Sequence, residues 1–82
     1  MNRKQQKTLE KIYQVAANIR WSDFISLMNN LGAEIEEGSG SRCRIWLNDQ
    51  PMNLHKPHPQ PEIKRYAVRQ IRDFLKEMEI EP

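Results

Sequence analysis

Four side chains in this chain are suited to chemistry on a phosphate. His55 and His58 are its only histidines, and Arg42 and Arg44 stand two apart in the run Arg42-Cys43-Arg44-Ile45-Trp46-Leu47. Histidine changes charge close to neutral pH, so it can act as general base or acid when a ribose 2′-hydroxyl attacks its own phosphate. A guanidinium stays protonated, so it grips a phosphate and moves no proton. His55 and His58 are therefore the candidate catalytic residues. His58, set between Pro57 and Pro59, also suits a role in orienting its loop by hydrogen bonding. Arg42, Arg44 and Lys56 are candidate phosphate contacts.

Other chemistries find less support. The single cysteine, Cys43, cannot form an internal disulfide and reads as a buried strand residue. No cysteine or acidic pair flanks the histidines at metal-ligand spacing, so neither a metal nor another cofactor is expected. Gly38-Ser39-Gly40-Ser41 could offer amides to a phosphate, but it lacks the Gly-Lys-Ser/Thr ending of a P-loop and reads as a strand connection. Trp46 has two readings. It can stack on a base, or it can cover the N-terminal helix through Tyr13 or Ala16, and the need of an amphipathic helix to bury its stripe favours the second.

The elements that must position these residues follow from hydrophobic period. Leu9, Ile12, Tyr13 and Ala16 recur at helical spacing and predict a helix near 4–17. Phe24, Leu27, Met28 and Leu31 predict a second near 23–31, with Ser22 as N-cap and Gly32 at the left-handed position that ends it. The period then becomes two, predicting strands near 33–37, 42–47 and 51–55, with a turn at Asn48-Asp49-Gln50-Pro51. In the middle strand Cys43, Ile45 and Leu47 point one way, while Arg42, Arg44 and Trp46 point the other. His55 falls on the arginine face, and Met52 and Leu54 on the apolar one.

Pro57-His58-Pro59-Gln60-Pro61 cannot continue a ladder, and Pro61 suits the opening of a helix near 61–78. Ile63, Ala67, Ile71, Phe74, Leu75 and Met78 form its apolar stripe. Arg65, Arg69, Arg72 and Lys76 lie nearly opposite, and the three arginines join the candidate nucleic-acid contacts. The order α-α-β-β-β-α implies an α+β two-layer sandwich, a three-stranded antiparallel sheet covered on one face by helices.

At 82 residues the chain holds one small core. Its net charge of +2 hides a pattern: residues 21–41 carry four acids and no base, whereas residues 42–76 carry eight bases against three acids. Such a concentration suits a polyanionic partner. No apolar run reaches membrane-span length and residues 1–20 lack a signal-peptide core, so no membrane partner is expected and a cytoplasmic location is.

Residues 22–80 resemble the HicA family, small toxins of type II toxin-antitoxin modules. The resemblance rests on the helix ending in Leu31-Gly32, the Gly-Ser turn entering the second strand, Pro57-His58-Pro59, and Ala67-Val68-Arg69-Gln70-Ile71 before Leu75. It implies an mRNA interferase, an endoribonuclease with a fold similar to double-stranded-RNA-binding domains, RNA as substrate and a HicB-like antitoxin as partner. With no metal-ligand cluster in the sequence, metal-independent cleavage is expected. It also divides the chain into an N-terminal helical extension, 1–20, and a HicA-like domain, 21–82. In the family a histidine typically follows the Gly-Ser turn and is thought to serve cleavage. Here Arg42 follows Gly40-Ser41, so that residue's role does not carry over.

The expected function is thus a HicA-like toxin that binds RNA and cleaves it with rearranged groups. The alternatives are a non-catalytic nucleic-acid-binding module or a toxin with a degenerate site, for which shape-based binding needs no proton shuttle. A protein-interaction adaptor using the N-terminal helix is a third class.

Overall fold

The computed structural model describes all of residues 1–82. Three helices and three strands follow in the expected order: α1 Arg3–Tyr13, α2 Trp21–Asn30, β1 Glu34–Glu37, β2 Arg42–Leu47, β3 Gln50–His55 and α3 Arg65–Glu77. The sheet has the order β1-β2-β3, antiparallel throughout. Cys43, Ile45, Leu47, Met52 and Leu54 project from its inner face into one core with Leu9 and Ile12 of α1, Phe24, Leu27 and Met28 of α2, and Val68, Ile71 and Leu75 of α3. Strand alternation therefore sorts the faces as expected, leaving Arg42, Arg44 and His55 exposed on the outer side.

Helix ends depart from the expected positions, for reasons in the backbone. α1 starts at Arg3 because Asn2 and Gln5 form a capping box, Gln5 N–H donating to Asn2 Oδ1 at 2.8 Å and Asn2 N–H to Gln5 Oε1 at 3.0 Å. It stops at Tyr13, four residues early, where Ala16 N–H donates to Lys11 O and Val15 N–H to Ile12 O. This is a Schellman closure, with Val15 in the left-handed position at φ 52°. Helix α2 closes the same way on Gly32 at φ 86°, as its sequence predicts, and α3 closes on Glu79 at φ 59°.

The entry to α2 is also displaced. Arg20, not Ser22, is the N-cap, and Trp21 N–H donates to Pro61 O at 2.9 Å. Ile63 N–H donates to Ile19 O at 2.8 Å, and Arg20 and Glu62 form an isolated antiparallel bridge. Residues 61–63 are thereby held extended, so Pro61 does not open α3. The helix begins four residues later, after Lys64 at φ −68° and ψ 148°.

The β2–β3 connection is a two-residue turn, Asn48 and Asp49 at φ 51° and 64°, which suits the twist of a hairpin. Strand β3 consequently begins at Gln50 and includes Pro51, tolerated because β3 is an edge strand. Helix α1 lies against α2 and α3 within the helical layer, and Tyr13 donates its hydroxyl hydrogen to Ile80 O. Trp46 sits on the opposite side of the sheet, so the expectation that it covers α1 is wrong. The stripe of α1 is buried by its sister helices instead.

Candidate functional site

The outer sheet face carries a concavity of about 460 Å³ lined by Glu36, Glu37, Arg42, Arg44, Asn53 and His55 among others. Cross-strand pairing sets their neighbours: Glu36 faces Arg44, Arg44 faces Asn53, and Arg42 faces His55. Arg44 is held in place, its Nε donating to Asn53 Oδ1 at 2.9 Å and its guanidinium lying 5.9 Å from the Trp46 ring centroid. Trp46 in turn donates Nε1–H to Glu36 Oε1 at 2.8 Å. Arg42 takes part in none of these bonds. The carboxylates of β1 lower the potential on that side, so the most favourable ground for an anion is displaced towards Arg42 and His55.

His55 also lines a second groove of about 240 Å³, which opens between the end of the sheet and the start of α3. Three separated segments build it: Ser41 from the β1–β2 loop, His55, Lys56 and His58 from the end of β3 and its loop, and Lys64 and Tyr66 from the α3 entry. Ser41 Oγ lies 3.3 Å from His55 Nδ1, and Lys56 N–H donates to Ser41 O at 2.7 Å. The loop is tied through these backbone bonds and those of residues 61–63, so the expected loop-orienting role of His58 falls to the main chain. His58 is exposed at the groove. Both histidines thus meet in one concavity with four groups that carry or donate protons, Ser41, Lys56, Lys64 and Tyr66.

Lys64 and Tyr66 escaped the reading of the sequence. A signal existed, since Tyr66 is an aromatic lying off the α3 stripe of Ile63, Ala67 and Ile71 and follows two bases. No side chain caps α3, which leaves first-turn amides and the positive end of the helix dipole near the groove. Arg65 and Arg69 are exposed on α3 but line neither concavity. Arg72 is half-buried and paired with Asp73, its Nε and a terminal nitrogen each 3.1 Å from Asp73 Oδ1. Gln70 donates Nε2–H to Asn53 O at 2.9 Å, covering the open edge of β3.

Burial pushes the Cys43 thiol up, Glu37 adds to the effect and Lys56 opposes it, so this cysteine is a packing residue rather than a nucleophile. No three His, Cys, Asp or Glu side chains converge to hold a metal ion, and no helix is long and apolar enough to cross a membrane.

A family model described as the HicA toxin of bacterial toxin-antitoxin systems matches residues 21–80. The chain belongs to the HicA toxin family. No curated protein and no solved structure matches it. The matched residues of this HicA toxin run from the first residue of α2 past the end of α3, and they contain the whole sheet and both concavities. Membership in a toxin family of this kind implies an antitoxin partner.

Proposed function

We propose that this HicA-family chain binds RNA across the Arg42–His55 end of its sheet and cleaves it without a metal ion, with His55 as general base. The observation that carries this reading is the position of His55, an exposed imidazole that lines both the arginine-bearing concavity and the groove holding Lys56, His58 and Lys64. In this mechanism the 2′-oxygen attacks phosphorus as its proton passes to His55. The bond to the 5′-oxygen breaks, and His58, lining the same groove, supplies that oxygen with a proton. The products are a 2′,3′-cyclic phosphate and a 5′-hydroxyl. Arg42, Lys56 and Lys64 offset the charge that builds on the phosphoryl oxygens. Arg44, Arg65, Arg69 and Arg72 extend the contact to flanking phosphates. The toxin acts in the cytoplasm, where mRNA is found, and a HicB-like antitoxin restrains it by covering this surface.

The deciding experiment is an RNA-cleavage assay with the purified chain, with and without chelator. Cleavage that survives chelation and falls by about 10²- to 10⁴-fold in His55→Ala supports the mechanism. Full activity in that variant removes His55 from it. A second reading, RNA binding without cleavage, is favoured by Arg42, which retains a grip on phosphate at the position where the family carries its histidine. Absence of cleavage in the parent chain together with retained RNA affinity would establish it.

A further inference from the structure

We propose that Tyr66 is a base-stacking platform, so that the groove at the start of α3 takes an unpaired nucleotide with its base on the phenol ring and its phosphate between Lys56 and Lys64. The inference rests on the RNA-binding reading above and adds the residue that decides which form of RNA the groove accepts.

Tyr66 is 62% exposed, and no other Phe, Tyr or Trp of the chain is exposed. Phe24 is fully buried, and Tyr13, Trp21 and Phe74 are partly buried against the core. Trp46 is engaged by Glu36 and Arg44 on the outer sheet face. Packing does not account for the Tyr66 ring, because the α3 residues that enter the core are Ala67, Val68, Ile71 and Leu75. Its surroundings are those of a nucleotide site: Ser41, His55, Lys56, His58 and Lys64 line the same groove. The cations and the uncapped first turn of α3 serve the phosphate. What such a groove lacks is a hold on the base, and an exposed ring beside the cations provides one.

Stacking requires a base that has left its own helix, because the faces of a paired base are covered by its neighbours. Every base presents a π-face, so the contact tolerates sequence while discriminating single strand from duplex. It also brings the ribose of the held nucleotide into the groove that contains both histidines.

The test measures affinity by fluorescence anisotropy for a short labelled single-stranded RNA and for the same sequence as a duplex, with inorganic polyphosphate as a competitor that has charge but no bases. Tyr66→Ala is expected to weaken single-strand binding by about 5- to 150-fold, while Tyr66→Phe stays within about twofold of the parent. Duplex affinity and polyphosphate competition should be the same in all three proteins. An unchanged single-strand affinity in Tyr66→Ala overturns the stacking role and leaves RNA binding standing. Equal losses in the Ala and Phe variants would assign the effect to the hydroxyl, and equal losses on duplex and single strand would remove the discrimination; either result overturns the proposal. A parent chain that binds neither RNA overturns the RNA-binding reading and this inference with it.

Discussion

Arg42 and His55 are direct cross-strand partners at the open end of the β2–β3 ladder. Paired positions in an antiparallel sheet hold their Cβ atoms roughly 4.5–5.5 Å apart, so the arginine that follows the Gly-Ser turn and the nearest imidazole share one patch. If His55 is a displaced proton shuttle, restoring a histidine at position 42 adds a second one beside it. Arg42→His is expected to raise RNA cleavage by about 10²-fold or more, the usual worth of a positioned acid or base, at some loss of affinity. Initial rates at saturating RNA separate the two effects. A rate unchanged from the parent would show that an imidazole at position 42 takes no part in the cleavage.

Salt dependence should distinguish the two strand arginines. Removing one cation from a phosphate lowers the slope of log affinity against log salt by roughly 0.7 to 0.9. Arg42 is not among the groups bonded to Asn53, Trp46 and Glu36, whereas Arg44 has Asn53 on its Nε and Glu36 facing it across the ladder. Arg42→Ala should therefore flatten the slope by about one phosphate's worth, and Arg44→Ala by less. The opposite order would place the phosphate nearer β1.

Helix closure offers a test of the fold that is independent of function. Gly32 has φ 86° and nothing within 4 Å of where a Cβ would stand, so Gly32→Ala introduces conformational strain without a clash. A loss of about 1–2 kcal/mol is expected. Glu79 is exposed at φ 59°, and Glu79→Gly relieves the same strain with a gain of about 1 kcal/mol. Urea denaturation of the three proteins measures both. A gain in Gly32→Ala would contradict the left-handed closure.

Alkaline pH should weaken the fold through two groups. Cys43 is held above the ordinary thiol range by burial, then by Glu37, with Lys56 opposing. Tyr13 is held above the ordinary phenol range by burial, then by Glu81. The unfolded chain releases both protons first, so it binds fewer of them in this window and stability falls as pH rises. The contribution is fully present below the ordinary values, about pH 8.5 for the thiol and about pH 10 for the phenol, and is lost as pH climbs through the folded ones. Cys43→Ala should flatten the first part of the stability profile and Tyr13→Phe the second, relative to the parent. Parallel profiles in parent and variants would exclude these groups.

Local pattern alone determined a good deal of this protein. Alternation in Arg42–Leu47 sorts the two faces of the sheet, because a strand's side chains must point in opposite directions. Gly32 marks the end of α2 because only glycine adopts the left-handed conformation without strain. The resemblance to the family was legible around Leu31-Gly32, Pro57-His58-Pro59 and Ala67–Ile71, within the residues 21–80 that the family model matches. Tertiary structure decided the rest. Val15 and Glu79 close α1 and α3 in the same left-handed conformation without glycine, so no residue type announced those ends. Pro61 could open a helix by its own preference, but the backbone of residues 61–63 pairs with Ile19, Arg20 and Trp21, some forty residues earlier, and α3 waits until Arg65. That same displacement brings Lys64 and Tyr66 to Ser41, His55 and His58. A groove assembled from three distant segments has no period, since periodicity reports only what neighbours along one element share, and long-range hydrogen bonds and packing choose which segments meet.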